Sequence, residues 1–254
     1  MNTIGFSTLL KKEIRRFLKV PAQTVAQPVV MTTLYFLVFG FSLGGRVREI
    51  DGVPYVRFIV PGLVMLSLIQ NAFLNTSSSM FVAKLQGTIV DLMVAPLSVG
   101  ELLGAFVLAA VIRGLLVGAI VWLVAVVFTG FDLAHPIWVI AFSLIVATTF
   151  ALIGLLVAIW SDKFEQLNIV PTFIITPLTF LGGVFYSARM LPHPWDLVAK
   201  CNPVLYMVEG LRYGLLDVST SASPWAGLLI TTAMCFASFA VAWWMLATGY
   251  KLRS

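Results

Sequence analysis

Charged residues are scarce in this chain of 254 residues: Asp, Glu, Lys and Arg together make up 11% of it, while hydrophobic residues make up 60%. Soluble domains carry about 25% charged residues. A water-soluble globule of this length could not cover so much apolar surface with polar groups. The same composition excludes a disordered chain, which requires a low content of apolar residues. The sequence therefore predicts an integral membrane protein.

Motifs for disulfide, metal and nucleotide chemistry are also missing. The two cysteines, Cys201 and Cys235, form no CxxC pair, and Cys235 lies in an apolar run, so no bridge is expected between them. The sequence contains neither the Gly-Lys-Ser/Thr of a P-loop nor a His-Glu-x-x-His metal site. We therefore expect this chain to bind no metal or cofactor. If the protein uses ATP, another chain must hydrolyse it.

One Gly-x-Ser-x-Gly match, residues 40–44, keeps a membrane enzyme open as an alternative. A nucleophile elbow requires a strand, a sharp turn and then a helix. This match instead ends an apolar helical run and leads into a polar loop. His135 and His193 are predicted on the same side of the membrane as Ser42, so topology alone does not exclude a triad. The missing strand makes the enzyme the weaker interpretation.

Six apolar stretches are long enough to cross a bilayer, which takes about 20 helical residues. The predicted spans are residues 24–43, 58–80, 104–129, 136–160, 167–186 and 225–248. Six spans place both ends on one side, and the clusters of Lys and Arg at the termini make that side cytoplasmic. Arg57, Arg189, Lys200 and Arg212 then count as outer-side charges. We predict an all-α polytopic membrane protein, with residues 1–254 forming a single transmembrane domain.

Two segments outside the spans are predicted at the membrane surface. Residues 4–19 carry apolar and basic side chains on opposite helical faces, which indicates an interfacial amphipathic helix. The positive flank of a signal anchor is the alternative. Residues 187–224, broken by Pro192, Pro194 and Pro203, form either two re-entrant helices on the outer side or a plain outer loop.

Polar side chains occur inside two predicted spans. Asn71 and Asn75 lie in the second span and Arg113 lies in the third. Asn71 and Arg113 each fall about 13 Å from the cytoplasmic end of their span, at about 1.5 Å per helical residue. The three side chains could line a transport pathway. Alternatively, the asparagines join helices and Arg113 reaches the inner headgroups along its aliphatic stem.

The loop between the second and third spans contains a short helical stretch that ends at Pro96. Ile89, Leu92 and Met93 lie on neighbouring faces of this stretch, with Asp91 beside them. Exposed apolar side chains in a water-facing loop are typical of a binding surface, so we expect a protein partner to bind here. A helix lying on the lipid surface is the alternative.

Four stretches lie in order along the chain, in a resemblance that covers nearly the whole of it: FIVPGLVM (58–65), GTIVDLMVAPLS (87–98), VPTFIITPLTFLGGVFYS (170–187) and NPVLYMVEGLRYG (202–214). In these stretches the chain resembles the ABC-2 class of ABC transporter permeases. It is most similar to the YadH-type permeases of Gram-negative bacteria. The resemblance implies six spans, an N-terminal interfacial helix and re-entrant helices before the last span.

The resemblance also implies the partners. Permeases of this class lie in the bacterial inner membrane and act as pairs with two cytoplasmic ATPase subunits, which use ATP and Mg. A coupling helix, here about residues 87–95, would dock in a groove of the ATPase. The residues implied in coupling are Gly87, Thr88, Ile89, Asp91, Leu92, Met93 and Pro96. Two acidic residues often follow the Gly-Thr pair in the family, whereas here Val90 takes the first position.

The function expected from these observations is that of the permease subunit of an ATP-driven exporter. Family members export polysaccharides, lipid-linked molecules and drug-like molecules, so an amphipathic, glycan-like or lipid-like substrate is expected and none is identified. The alternative is a channel or secondary transporter that needs no ATPase. The scarcity of acidic residues in the spans argues against it, because ion-coupled carriers usually bury Asp or Glu there.

Overall fold

The computed structural model describes residues 2–43, 49–130, 132–219 and 221–251. The helices in the described part are α1 (Thr3–Leu18), α2 (Gln27–Tyr35), α3 (Tyr55–Phe58), α4 (Val60–Leu85), α5 (Thr88–Val94), α6 (Val99–Thr129), α7 (Pro136–Trp160), α8 (Phe164–Val170), α9 (Thr176–Leu181), α10 (Trp195–Lys200), α11 (Pro203–Leu216) and α12 (Pro224–Thr248). Wider π-type turns form Ala22–Ala26, Phe36–Leu43 and Pro171–Ile175, and Ala188–Met190 is a 3₁₀ turn.

Six helical segments of the described chain are long and apolar enough to cross a membrane, which confirms the predicted all-α fold with six spans. These spans are Ala22–Phe39, Tyr55–Leu85, Val99–Thr129, Pro136–Trp160, Phe164–Leu181 and Pro224–Thr248. The third begins before residue 104, where the prediction placed it, because Ser98 and Glu101 form a capping box that starts α6. The fifth ends before residue 186, since Gly183, at φ +74°, turns the chain away.

The α4 helix lies at the centre of the molecule. In its span, 83% of the residues in an apolar stretch of 18 are buried, against 22% for the first span and 17% for the fifth. The α7 helix crosses α4 at Gly154, where a Cβ atom would lie 2.4 Å from the carbonyl oxygen of Phe73. Thr76 Oγ1 donates a hydrogen bond across this crossing to the carbonyl oxygen of Ala151 at 2.7 Å. A small residue at the crossing thus allows the close approach that holds α7 on α4.

Both described ends of the chain lie at the same end of the bundle, which we call the α5 end. The amide of Asn2 donates to Glu101 at the start of α6. Asp162, which follows α7, accepts hydrogen bonds from Lys84 Nζ at 3.1 Å and from Lys251 Nζ at 2.7 Å. These bonds from Lys251 and Lys84 hold the pKa of Asp162 below its ordinary value. The α5 end therefore gathers α1, α5, the start of α6 and the ends of α4, α7 and α12.

The opposite end carries a β-hairpin where the sequence analysis placed only a loop. Strands β1 (Glu49–Ile50) and β2 (Val53–Pro54) pair antiparallel, with Ile50 opposite Val53. The two turn residues, Asp51 and Gly52, have φ of 50° and 79°. Positive φ at both positions is typical of the two-residue hairpin turn that favours Asp-Gly.

Candidate functional site

A polar cavity of about 280 Å³ opens between the first span, α4 and α6. It is lined by Gln23, Gln27, Pro28, Met31, Thr32, Tyr35, Leu63, Leu66, Ser67, Gln70, Asn71, Leu74, Ser78 and Arg113. We call it the Arg113 cavity. The residues that line it include one cation, no carboxylate and several amide and hydroxyl groups. Such a mixture can surround a polar ligand within an otherwise apolar bundle.

Arg113 brings a positive charge into this cavity from the middle of α6. Its side chain is buried, with 8% of the residue exposed. Its Nε atom has no hydrogen-bond partner, and the described residues offer the side chain no ion pair. Asn71 lines the same cavity and donates a hydrogen bond from Nδ2 to the carbonyl oxygen of Ser67 at 3.0 Å. The structure thus brings together two of the three polar side chains that the sequence analysis singled out.

Asn75, the third of them, does not line the cavity and is held by the N-terminal helix. Arg16 Nη2 donates to Asn75 Oδ1 at 3.0 Å and to the Asn75 carbonyl oxygen at 2.9 Å. Asn75 thus contacts Arg16, whereas Asn71 lines the Arg113 cavity. Asn75 instead joins α1 to α4.

Further contacts between α1 and α4 involve Glu13, a residue that the sequence analysis did not single out. Glu13 is buried, and it accepts hydrogen bonds from Ser79 Oγ and from Arg16 Nε. It lies between the buried Leu9 and Phe17, so the three form one stripe at four-residue spacing. The sequence did contain a signal for Glu13, because it is the one acidic residue of a strongly basic helix and lies on the apolar stripe of that helix. We call Glu13, Arg16, Asn75 and Ser79 the α1 clamp.

The predicted coupling residues lie around α5, a helix of seven residues at the α5 end. Gly87 precedes it at φ +72°, a backbone conformation that favours glycine. Ile89 is buried in the chain's own core, and Leu92 and Met93 pack partly against that core. The expectation that Ile89 offers an exposed apolar surface is therefore wrong. Val90 and Val94, at 54% and 80% exposure, provide the exposed apolar surface, with Asp91, Thr88 and Pro96 also exposed.

A buried ion pair lies in α11, within the segment that precedes the last span. Arg212 is fully buried and pairs with Glu209 one turn earlier, so it is not a water-facing charge as the sequence analysis counted it. Arg212 Nη2 donates to the carbonyl oxygen of Gly183 at 2.7 Å, and its guanidinium lies 3.9 Å from the centre of the Phe58 ring. The Glu209 carboxylate accepts a further bond from the amide of Ser221 at 3.2 Å. The pair thereby connects α11 with α3, with the turn that follows α9 and with the loop that follows α11.

The features required by the enzyme interpretation are not brought together in the described part of the chain. The side chain of Ser42 lies outside the described side chains, as does the rest of the 40–44 match. His135 pairs with Asp217 at 2.8 Å and His193 pairs with Asp196 at 3.3 Å, each in a separate exposed contact. Among the described residues, no cluster of three or more His, Cys, Asp or Glu side chains could hold a metal ion.

Known proteins are similar to this chain over nearly its whole length. The ABC-2 type transporter family matches residues 5–216. The inner membrane transport permease YadH of Escherichia coli K12 is 38% identical over 252 residues, covering 99% of this chain and 98% of the relative. Nodulation protein J of Sinorhizobium fredii NGR234 is 29% identical over 234 residues, covering 90% of this chain and 84% of the relative. Nodulation protein J of Rhizobium meliloti 1021 is 22% identical over 205 residues, covering 80% of this chain and 77% of the relative.

Proposed function

The chain belongs to the ABC-2 type transporter family, and on that premise we propose that it is the transmembrane permease subunit of an ATP-driven exporter in the bacterial inner membrane. The similarity to an inner membrane transport permease over 99% of the chain carries the proposal. Six apolar helical segments fit the same role. The chain itself has no P-loop sequence, so ATP would bind to and be hydrolysed by a separate ABC ATPase.

The α5 segment is the proposed contact with the ATPase. It lies at the end of the bundle that also holds the basic α1 helix and Lys251, which the positive-inside rule assigns to the cytoplasm. Val90, Asp91 and Val94 face outward there. Ile89 anchors the segment in the core of the permease, so a force applied to α5 would reach α4, against which α5 packs. This arrangement suits a short rigid lever better than a flexible loop.

Two copies of the permease with two ATPase subunits form the proposed complex. Within one chain, most residues in the apolar stretches of the first and fifth spans are not buried. This exposure is compatible with contact to a second copy or to lipid. Stable obligate interfaces in membranes form where helix faces can pack closely. We propose that the second copy covers part of these spans.

The test replaces the exposed apolar side chains of α5 in a Val90→Ser, Val94→Ser double variant. Burying an aliphatic side chain in a partner contributes about 1.5–3 kcal/mol, so the double variant should bind the ATPase at least about tenfold more weakly. The measurement is co-purification of the permease with its proposed ABC ATPase, followed by the ATPase rate of the pair.

Val127→Ser is the matched control, because Val127 is an equally exposed valine at the far end of α6. It should leave binding unchanged. A permease that carries both α5 substitutions and still retains full ATPase affinity would place the coupling surface elsewhere. The exposed Ile4 on α1 is then the next residue to replace.

A further inference from the structure

The Arg113 cavity contains an unusual charged group for a membrane-spanning helix. In the described part of the chain, two other arginines are buried wholly or in part, and both have acidic partners: Arg212 with Glu209 and Arg16 with Glu13. Arg212 leaves its Nε unpaired, but its Nη atoms bond to Glu209 and Gly183. Arg113 has no carboxylate partner among the described residues, and its buried Nε atom has no hydrogen-bond partner there. Burying an unpaired charge is costly, so this position calls for a counter-charge from outside the chain.

The chemistry of the cavity indicates what that counter-charge is. A guanidinium binds phosphate and carboxylate oxygens through paired N–H donors. Around Arg113 the cavity offers the neutral polar side chains of Gln23, Gln27 and Gln70, which can hydrogen-bond the uncharged part of a polar headgroup. A volume of about 280 Å³ lies just below the roughly 300–1,000 Å³ of small-molecule pockets. The cavity therefore fits one headgroup rather than a polymer.

The wall formed by the first span indicates that the ligand also has an apolar part. Met31 lines the cavity and is 47% exposed, and Leu34, one turn further along, is 48% exposed. Only 22% of the residues in the apolar stretch of this span are buried. An apolar tail that leaves the cavity past Met31 would lie on this exposed surface, where lipid tails lie in a membrane. A free inorganic anion would leave that surface unused.

From these contacts we infer that the Arg113 cavity binds the anionic group, a phosphate or carboxylate, of an amphipathic molecule. Arg113 supplies the counter-charge, the glutamines bind the polar headgroup and the first span supports the tail. This inference rests on the proposed transport function and identifies the class of substrate that the permease carries. It assigns Arg113 to ligand binding rather than to contact with the membrane headgroups.

Native mass spectrometry of the full-length chain in a neutral detergent tests the binding directly. The probes are phosphatidic acid, diacylglycerol with the same acyl chains, and glycerol 3-phosphate. They separate the anion with a tail, the tail alone and the anion alone. Phosphatidic acid should bind at least about tenfold more tightly than diacylglycerol, because a charge-assisted hydrogen bond adds roughly 1.5–3 kcal/mol. It should also bind at least about tenfold more tightly than glycerol 3-phosphate, because its acyl tails bury apolar surface on the first span.

Arg113→Gln should remove this preference, since glutamine keeps a polar side chain without the charge. Arg113→Lys should retain part of it, because an ammonium group keeps the charge but loses the paired donors. This conservative variant also shows whether the position tolerates replacement. Lys12→Gln is the matched control for nonspecific attraction of anionic lipid to the basic α1 helix, since Lys12 is an exposed cation on that helix.

Four outcomes would overturn the inference. Phosphatidic acid and diacylglycerol could bind equally, Arg113→Gln could leave the preference intact, or Lys12→Gln could reduce it as much as Arg113→Gln does. The fourth is glycerol 3-phosphate binding as tightly as phosphatidic acid, which would indicate a site for the free anion rather than for an amphipathic molecule. This assay contains no ATPase, and ATPase binding is measured separately. A permease that binds its ATPase but shows no Arg113-dependent lipid binding would refute this inference and leave the proposed transport function standing.

Discussion

Glu209 and Arg212 show how a charged pair can be buried without a large penalty. Several partners of the pair are close by, since Gly183 and Ser221 supply a carbonyl oxygen and an amide while Phe58 lies under the guanidinium. Removing one member of a buried pair leaves the other charge without its partner, whereas replacing both can be nearly neutral. The pair should therefore stabilise the junction of α11 with the hairpin end of the bundle only as a unit.

Arg212→Met should destabilise the protein by about 3–5 kcal/mol, because Glu209 would remain buried without its counter-charge. The Glu209→Gln, Arg212→Met double variant should lose less stability than Arg212→Met alone. Thermal unfolding of the purified protein in detergent, followed by intrinsic tryptophan fluorescence, measures both. Arg189→Met is the control at an exposed arginine. Equal unfolding temperatures for Arg212→Met and the control would show that the pair contributes nothing.

The polar residues inside the spans could be recognised from the sequence, but their partners could not. Asn71 and Asn75 lie one turn apart in α4 and are chemically identical. One faces the Arg113 cavity and the other bonds to Arg16, because different neighbours cover the two positions. Helical periodicity gives the spacing of side chains within a helix. It does not say which helix packs against each side.

At the scale of elements, α1 is more closely integrated with the bundle than an interfacial helix needs to be. Its stripe of Leu9, Glu13 and Phe17 is buried against the rest of the chain. Its exposed side carries Lys11, Lys12 and Arg15. The helix can therefore bind the core through one face and present basic side chains on the other, where anionic headgroups would meet them.

Glu13→Ala should loosen the α1 clamp, because Ser79 and Arg16 lose their shared acceptor. We expect trypsin to cleave after Lys11, Lys12 and Arg15 several times faster than in the unmodified protein, since local opening exposes these sites. Limited proteolysis with mass spectrometry of the released peptides gives the rates. Thr8→Ala, at an exposed position of the same helix, should not change them. Unchanged cleavage in Glu13→Ala would mean that Leu9 and Phe17 hold α1 without help.

The short helices outside the spans illustrate what a sequence pattern can and cannot determine. The pattern before the last span indicated helical pieces, and α10 and α11 lie in that segment. Whether this pair enters the membrane depends on where the bilayer lies, so the re-entrant arrangement stays a prediction. The hairpin was missed, although Asp51-Gly52 is a turn sequence, because each strand has only two residues.

The whole molecule is organised around α4, which other helices surround. Its side chains at the contacts with α6 and α7 are small or aliphatic, and glycines on those helices face them, among them Gly114 and Gly154. Spans with few internal contacts lie outside this core and keep apolar surface available for lipid or for a second copy. A permease that must move can then shift its outer spans against a rigid centre.

The orientation of the whole molecule can be tested with reporter fusions. The described residues nearest to the two termini lie at one end, and basic residues gather there, so we expect both termini in the cytoplasm. Green fluorescent protein fused after Ser254 should fluoresce, and alkaline phosphatase inserted at Asp51 should be active. The reciprocal fusions serve as controls. Phosphatase activity at Ser254 would contradict both the orientation and the six-span topology.

The sequence by itself determined that this protein inserts into a membrane and has six apolar spans, because hydropathy is a sum along the chain and needs no knowledge of contacts. It also contained the stretches that place the chain in its family. Only the tertiary structure decided that Ile89 is buried, that Asn75 bonds to α1 and that Arg113 lines a cavity with no ion-pair partner among the described residues. These features depend on which helices pack together, and residues far apart in the sequence determine that packing.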